Sequence, residues 1–200
     1  MPLLALTSVD LLVVAILLVA IALGVVRARR RMAMRRKGEP LRSIVLYRSA
    51  PSRWSEERIR DVVTELLGEI EESEVAAAPA KKAAFMRMSL SGGRRLLVID
   101  TDAPYMAERE AAAKRFTKPE VQRGVAEHTA WTAIDALGAW SETSGGPAPM
   151  EALAMLVARL DDDPDSTLLY QRRDLNTFAP ATENVRDEMR NGSLKSFRME

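Results

Sequence analysis

The sequence predicts an α+β fold: an N-terminal transmembrane helix, then a ferredoxin-like (βαββαβ) domain with an added helix and strand and a short C-terminal helix. Three observations predict it. Residues 11–26 contain no charged side chain, and a basic run starts at Arg27. Ile59, Val62, Val63, Leu66, Leu67 and Ile70 recur at helical spacing. Phe85–Leu90 alternates apolar and polar residues, and Gly92-Gly93 divides it from the apolar run Leu96–Ile99.

The first element is expected over residues 9–26, 18 residues in all. At about 1.5 Å per residue that helix is roughly 27 Å long, close to the hydrocarbon thickness of a bilayer. Asp10, its one acid, stands near the end. Arg27, Arg29, Arg30, Arg31, Arg35, Arg36 and Lys37 flank the C-terminal side, whereas residues 1–8 carry no Lys or Arg. The positive-inside rule then puts residues 1–8 outside and everything after the span in the cytoplasm, as a single-pass protein of a bacterial inner membrane. A cleaved signal peptide fits less well, because its charges would precede the apolar core. Beside a span, the basic run sets topology and grips anionic headgroups; with no aromatic residues interleaved it does not look like a nucleic-acid site. The expected partners are therefore the lipid bilayer and either proteins of a membrane complex or further copies of the chain.

The formal charge of the 200-residue chain is +1, but residues 38–200 carry 22 basic and 27 acidic side chains, a balance of −5. Residues 27–40 form a basic linker, and 41–200 are long enough for one domain with a substantial core. The chain has no cysteine, which excludes disulfides and thiolate chemistry.

Within that domain, Ser43–Tyr47 is rich in strand formers and short enough for a buried central strand. Glu56 and Glu57 follow Ser55 where a helix N-terminus favours negative charge, so a helix runs from Ser55 to about Ile70. Residues 71–82 read as a link, and the Gly92-Gly93 hairpin follows. Leu96–Ile99 is apolar on both faces. Asp100 to Pro104 has turn chemistry, residues 106–116 make a weak helix or ordered loop, and Pro119 starts a helix ending near His128. Ala130–Leu137 alternates as a strand. A helix over Pro149–Leu160, a strand at Thr167–Tyr170 and a short helix over Thr182–Arg190 complete the order.

Candidate functional residues are few. Asp100 and Asp102 end a strand, where an acid–base pair or a metal could be built. His128, the one histidine, neighbours Glu127 and precedes Trp131 and Asp135. No serine stands in a Gly-x-Ser-x-Gly setting. Asp161, Asp162, Asp163 and Asp165 lack the glycine and closing glutamate of a calcium loop, and read as a solvated turn. The sequence thus assigns no catalytic residue, no metal ligand and no cofactor.

The stretch from Leu41 to Phe178 resembles a bacterial domain family of no established activity. The resemblance rests on Ser43–Tyr47, on Leu97–Asp100 with Pro104-Tyr105, on Val125–Asp135 and on Leu160–Asp162 ahead of Leu168–Tyr170. Its most specific part is a His-x-x-Trp-x-x-x-Asp-like core at His128, Trp131 and Asp135, where Thr129 and Ala130 fill the first gap. The resemblance supports the domain boundary and supplies no site residue. The expected function is a membrane-anchored, non-catalytic binding or regulatory domain within a membrane assembly. The rival expectations are a metal-dependent or acid–base hydrolase using Asp100, Asp102, His128 and Asp135, and a structural accessory subunit of a membrane complex.

Overall fold

The computed structural model describes residues 42–51, 54–78, 82–140, 147–161, 166–172 and 176–197. Strand β1 (Arg42–Arg48) is buried along nearly its whole length, as a branched and aromatic run at the centre of a sheet should be. Helix α1 (Glu56–Leu67) starts where the Ser55 hydroxyl accepts the Arg58 N–H at 3.1 Å. It stops short of Ile70 because Gly68, at φ 93°, turns the chain and caps the Thr64 carbonyl.

The segment expected to be a link is strand β2 (Ile70–Ala78), which pairs with β3 (Ala83–Leu90). Gly92 and Gly93, at φ 74° and 75°, supply the left-handed turn into β4 (Arg94–Thr101). The chain continues through α2 (Arg109–Ala113), α3 (Pro119–Glu127), β5 (Ala130–Gly138), α4 (Pro149–Leu160), β6 (Ser166–Arg172), β7 (Asn176–Pro180) and α5 (Glu183–Arg190).

These strands form one seven-stranded sheet in the order β2-β3-β4-β5-β1-β6-β7. Every neighbouring pair is antiparallel. Alternation along the strands divides the core in two. Ile44, Leu46, Met88, Leu96, Val98 and Ile134 face one side, where α1, α4 and α5 cover them with Ile59, Val63, Leu153, Leu156, Val185 and Met189. Val45, Tyr47, Ala133, Leu168 and Tyr170 face the other, under Ala113 of α2 and Val121 and Val125 of α3. Gly124 lets α3 approach closely: a Cβ there would stand 3.0 Å from the Leu168 Cβ.

The ferredoxin-like expectation is therefore corrected. The strand after α1 lies at the sheet edge, four places from β1, and β1 is flanked by β5 and β6. Helices cover both faces instead of one. Two strands, β2 and β7, were not legible as strands in the sequence.

The membrane part of the expected fold class is corrected as well: among the described residues no helix is long and apolar enough to cross a membrane. The span expected at residues 9–26 and its flank, Arg27 to Lys37, lie outside the described residues. The bilayer partner, the membrane assembly and the single-pass inner-membrane placement, all of which followed from that span, have no support in the described structure.

Candidate functional site

The sheet keeps the predicted site residues apart. Asp100 pairs in register with Thr132, and its carboxylate accepts the Thr132 hydroxyl at 2.6 Å on the face covered by α1 and α4. Burial pushes the Asp100 carboxyl up, opposed by that hydrogen bond and by Arg48.

His128 lies on the opposite face, fully buried and stacked on Tyr47 with ring centroids 4.4 Å apart and planes at 14°. Its Nδ1 donates to the Val125 carbonyl at 2.7 Å and its Nε2 accepts the Tyr105 N–H at 3.0 Å. Both nitrogens are thus satisfied by backbone, in one neutral tautomer. Burial lowers the imidazole pKa; the Val125 carbonyl opposes this and Arg109 adds to it.

Asp135 shares the His128 side of the sheet, but it stands four residues along β5 from Trp131, about 13 Å at 3.3 Å per residue. Asp102 is an exposed turn residue whose N–H bonds the Lys82 carbonyl at 2.9 Å. The hydrolase expectation is corrected by this arrangement. Side chains on opposite faces of a sheet cannot share a substrate, and among the described residues no group of three or more His, Asp or Glu could hold a metal ion.

One charged cluster was missed. Arg48 and Asp161 are both 0 % exposed and form an ion pair at 3.6 Å. The second Asp161 oxygen takes Arg186 Nε of α5 at 3.2 Å, the Ser166 hydroxyl donates to the first, and the Trp54 ring lies 5.6 Å from the Arg48 guanidinium. Burial pushes the Asp161 carboxyl up, against Ser166, Arg186 and Arg48. The cluster ties the end of α4 to β1, β6 and α5, so Asp161 is a buried fastening and not the solvated turn expected from sequence.

The features that reach the surface are on the His128 side. Tyr47, Tyr105, Trp131, Tyr170 and Phe178 form a chain of ring contacts there, with Tyr105 edge-on to Trp131 at 5.1 Å. Tyr105 is 37 % exposed. From this chain an apolar row crosses the sheet through Ala133, Ile99, Phe85 and Ala76. Helices α2 and α3 cover its β5, β1 and β6 end, where Ala133 and Trp131 join their core. Over β3, β4 and β5 the outward residues Phe85, Leu97 and Leu137 are half-buried and belong to neither core. Arg87 and Arg95 stand exposed among them, Arg87 paired with Glu74 at 3.1 Å. Thr101, opposite Trp131, is 7 % exposed, and its hydroxyl has no hydrogen-bond partner among the described residues.

The sequence carried a signal for this face. Leu96-Leu97-Val98-Ile99 is apolar on both sides, which a strand needs only if both sides are covered.

At the other end of the sheet a cleft of about 500 Å³ is lined by Arg42, Met150, Asn191 and Ser193. Glu151 already caps the start of α4 there, accepting the Ala148 N–H at 3.1 Å. Compared with known proteins, the chain matches no family model, no curated protein and no solved structure.

Proposed function

We propose that this domain is a docking module that receives an amphipathic helix of a partner protein on the outward face of β3, β4 and β5. The observation that carries the reading is the placement of Phe85, Leu97 and Leu137, apolar residues on three adjacent strands that no described helix covers. The dimensions favour a helix. Three strands at about 4.8 Å spacing make a trough roughly 14 Å wide, against a helix diameter of about 10 to 12 Å. The opposite side of the sheet already packs helices in this way. The exposed Arg95 guanidinium, which forms no ion pair among the described residues, favours a partner helix with carboxylates along one flank. The unsatisfied Thr101 hydroxyl at the end of the trough offers a polar anchor.

A designed, fluorescently labelled helical peptide with a leucine stripe and glutamate flanks tests this by anisotropy. The reading expects saturable binding that Phe85→Arg or Leu97→Arg weakens at least about tenfold, a loss near 1.4 kcal/mol. Val75→Arg, on the edge strand, should leave it unchanged. Absence of binding, or equal binding by all four proteins, overturns the reading.

A further inference from the structure

The free edge of β2 points to a second copy of this chain: we infer that two molecules pair antiparallel along β2, about a two-fold axis at Ala76, into one continuous sheet. The inference is independent of the helix-docking face, which it leaves open on both copies.

The two sheet edges are unequal. β7 is five residues long and ends at Pro180, features that discourage strand addition. β2 is nine residues long and has one neighbour among the described residues, β3. Its first half is guarded by Glu71, Glu72 and Glu74 and by a register shift between Ile70 and Glu72. Its second half, Val75 to Ala78, carries no charge, proline or bulge. There Val75 is 50 % exposed, and Ala76 and Ala77 are exposed as well.

A two-fold axis perpendicular to the sheet keeps each face on its own side, so it must pass beside a residue that opposes its own copy. With Ala76 on the axis, Val75 of each copy opposes Ala77 of the other. Both lie on the side of the sheet that holds the larger core, since Val75 pairs with the core residue Met86. The glutamate end of each strand then lies beside the other copy's β2–β3 turn, which carries the exposed Lys82. Under this symmetry the edge is complementary to itself in shape and in charge. A parallel pairing would set glutamates against glutamates.

Sedimentation equilibrium of the full chain tests the inference. Wild type should fit a monomer–dimer equilibrium. Ala77→Pro, which removes a strand N–H that faces the free edge because the alternate residue Ala76 bonds Phe85 of β3, should raise the dimer dissociation constant at least about tenfold with an unchanged far-ultraviolet circular dichroism spectrum. Lys82→Glu should weaken the dimer, and adding Glu71→Lys should restore it. If Ala77→Pro unfolds the chain, Val75→Lys serves in its place. A wild-type chain that stays monomeric at its highest soluble concentration overturns the inference, as does association that the edge substitutions leave unchanged.

Discussion

His128 Nε2 accepts the backbone N–H of Tyr105 at 3.0 Å, so a neutral imidazole pins the loop after β4 onto the aromatic chain beside the docking face. Replacing His128 by Ala leaves the Tyr105 N–H and the Val125 carbonyl without partners and removes the ring stacked on Tyr47. The expected cost is about 2 to 6 kcal/mol by urea denaturation, at roughly 1 to 3 kcal/mol for each of the two buried groups orphaned.

The same imidazole sets a pH dependence. Its folded pKa is held below the ordinary 6.5, chiefly by burial. The unfolded chain therefore takes up the proton first as pH falls, and the contribution of His128 to stability is complete above 6.5 and lost between 6.5 and the folded pKa. Melting temperature should drop from about pH 7.5 to about pH 5.5 by more in wild type than in His128→Gln, which does not titrate. Equal drops would show that other groups govern acid sensitivity.

Asp161→Ala should be among the most damaging single substitutions, at about 3 to 5 kcal/mol, because it removes a buried carboxylate that pairs with both Arg48 and Arg186. Adding Arg48→Met should recover much of that loss, and a denaturation double-mutant cycle measures how much.

Thr101→Val should stabilise the fold by about 1 kcal/mol, since it replaces a buried hydroxyl without a partner by a methyl of the same shape. If the hydroxyl anchors the docked helix, the same substitution weakens peptide binding, so stability and affinity move in opposite directions.

Gly138→Ala should cost at least about 1 to 3 kcal/mol. Gly138 sits at φ 81°, and a Cβ there would meet the Gly93 carbonyl oxygen at 2.5 Å, where neither backbone segment can yield. Gly68→Ala, with nothing within 4 Å of its Cβ, should carry only the conformational strain of its φ of 93°. Thermal melts of the two variants separate clash from strain.

Much of the fold was legible because local chemistry and burial agree. Ser55 with Glu56 and Glu57 marks the start of α1, the glycine pair marks the hairpin, and Ser43–Tyr47 has the composition of the central strand it forms. β2 was not legible, because Glu71, Glu72, Glu74 and three alanines are poor strand formers; pairing with β3 decides their conformation, not propensity. Sheet order was hidden for a similar reason, since β1 takes both its partners from distant segments.

The site was legible only in part. Trp131 and His128 were singled out and do lie together on the aromatic side. Asp100, which the hydrolase expectation joins to His128, lies on the other face, because the sequence does not show which way a strand residue points. Nothing in the sequence marks Arg48, and only its burial against Asp161 shows its role.

The position of β1 bears on how the chain is made. Both its neighbours, beginning at Ala130 and Ser166, leave the ribosome long after it does. Until then Ser43–Tyr47, buried along its whole length in the folded sheet, has no pairing partner on either flank. Slow folding and a need for a holding chaperone during synthesis follow from such late, long-range closure.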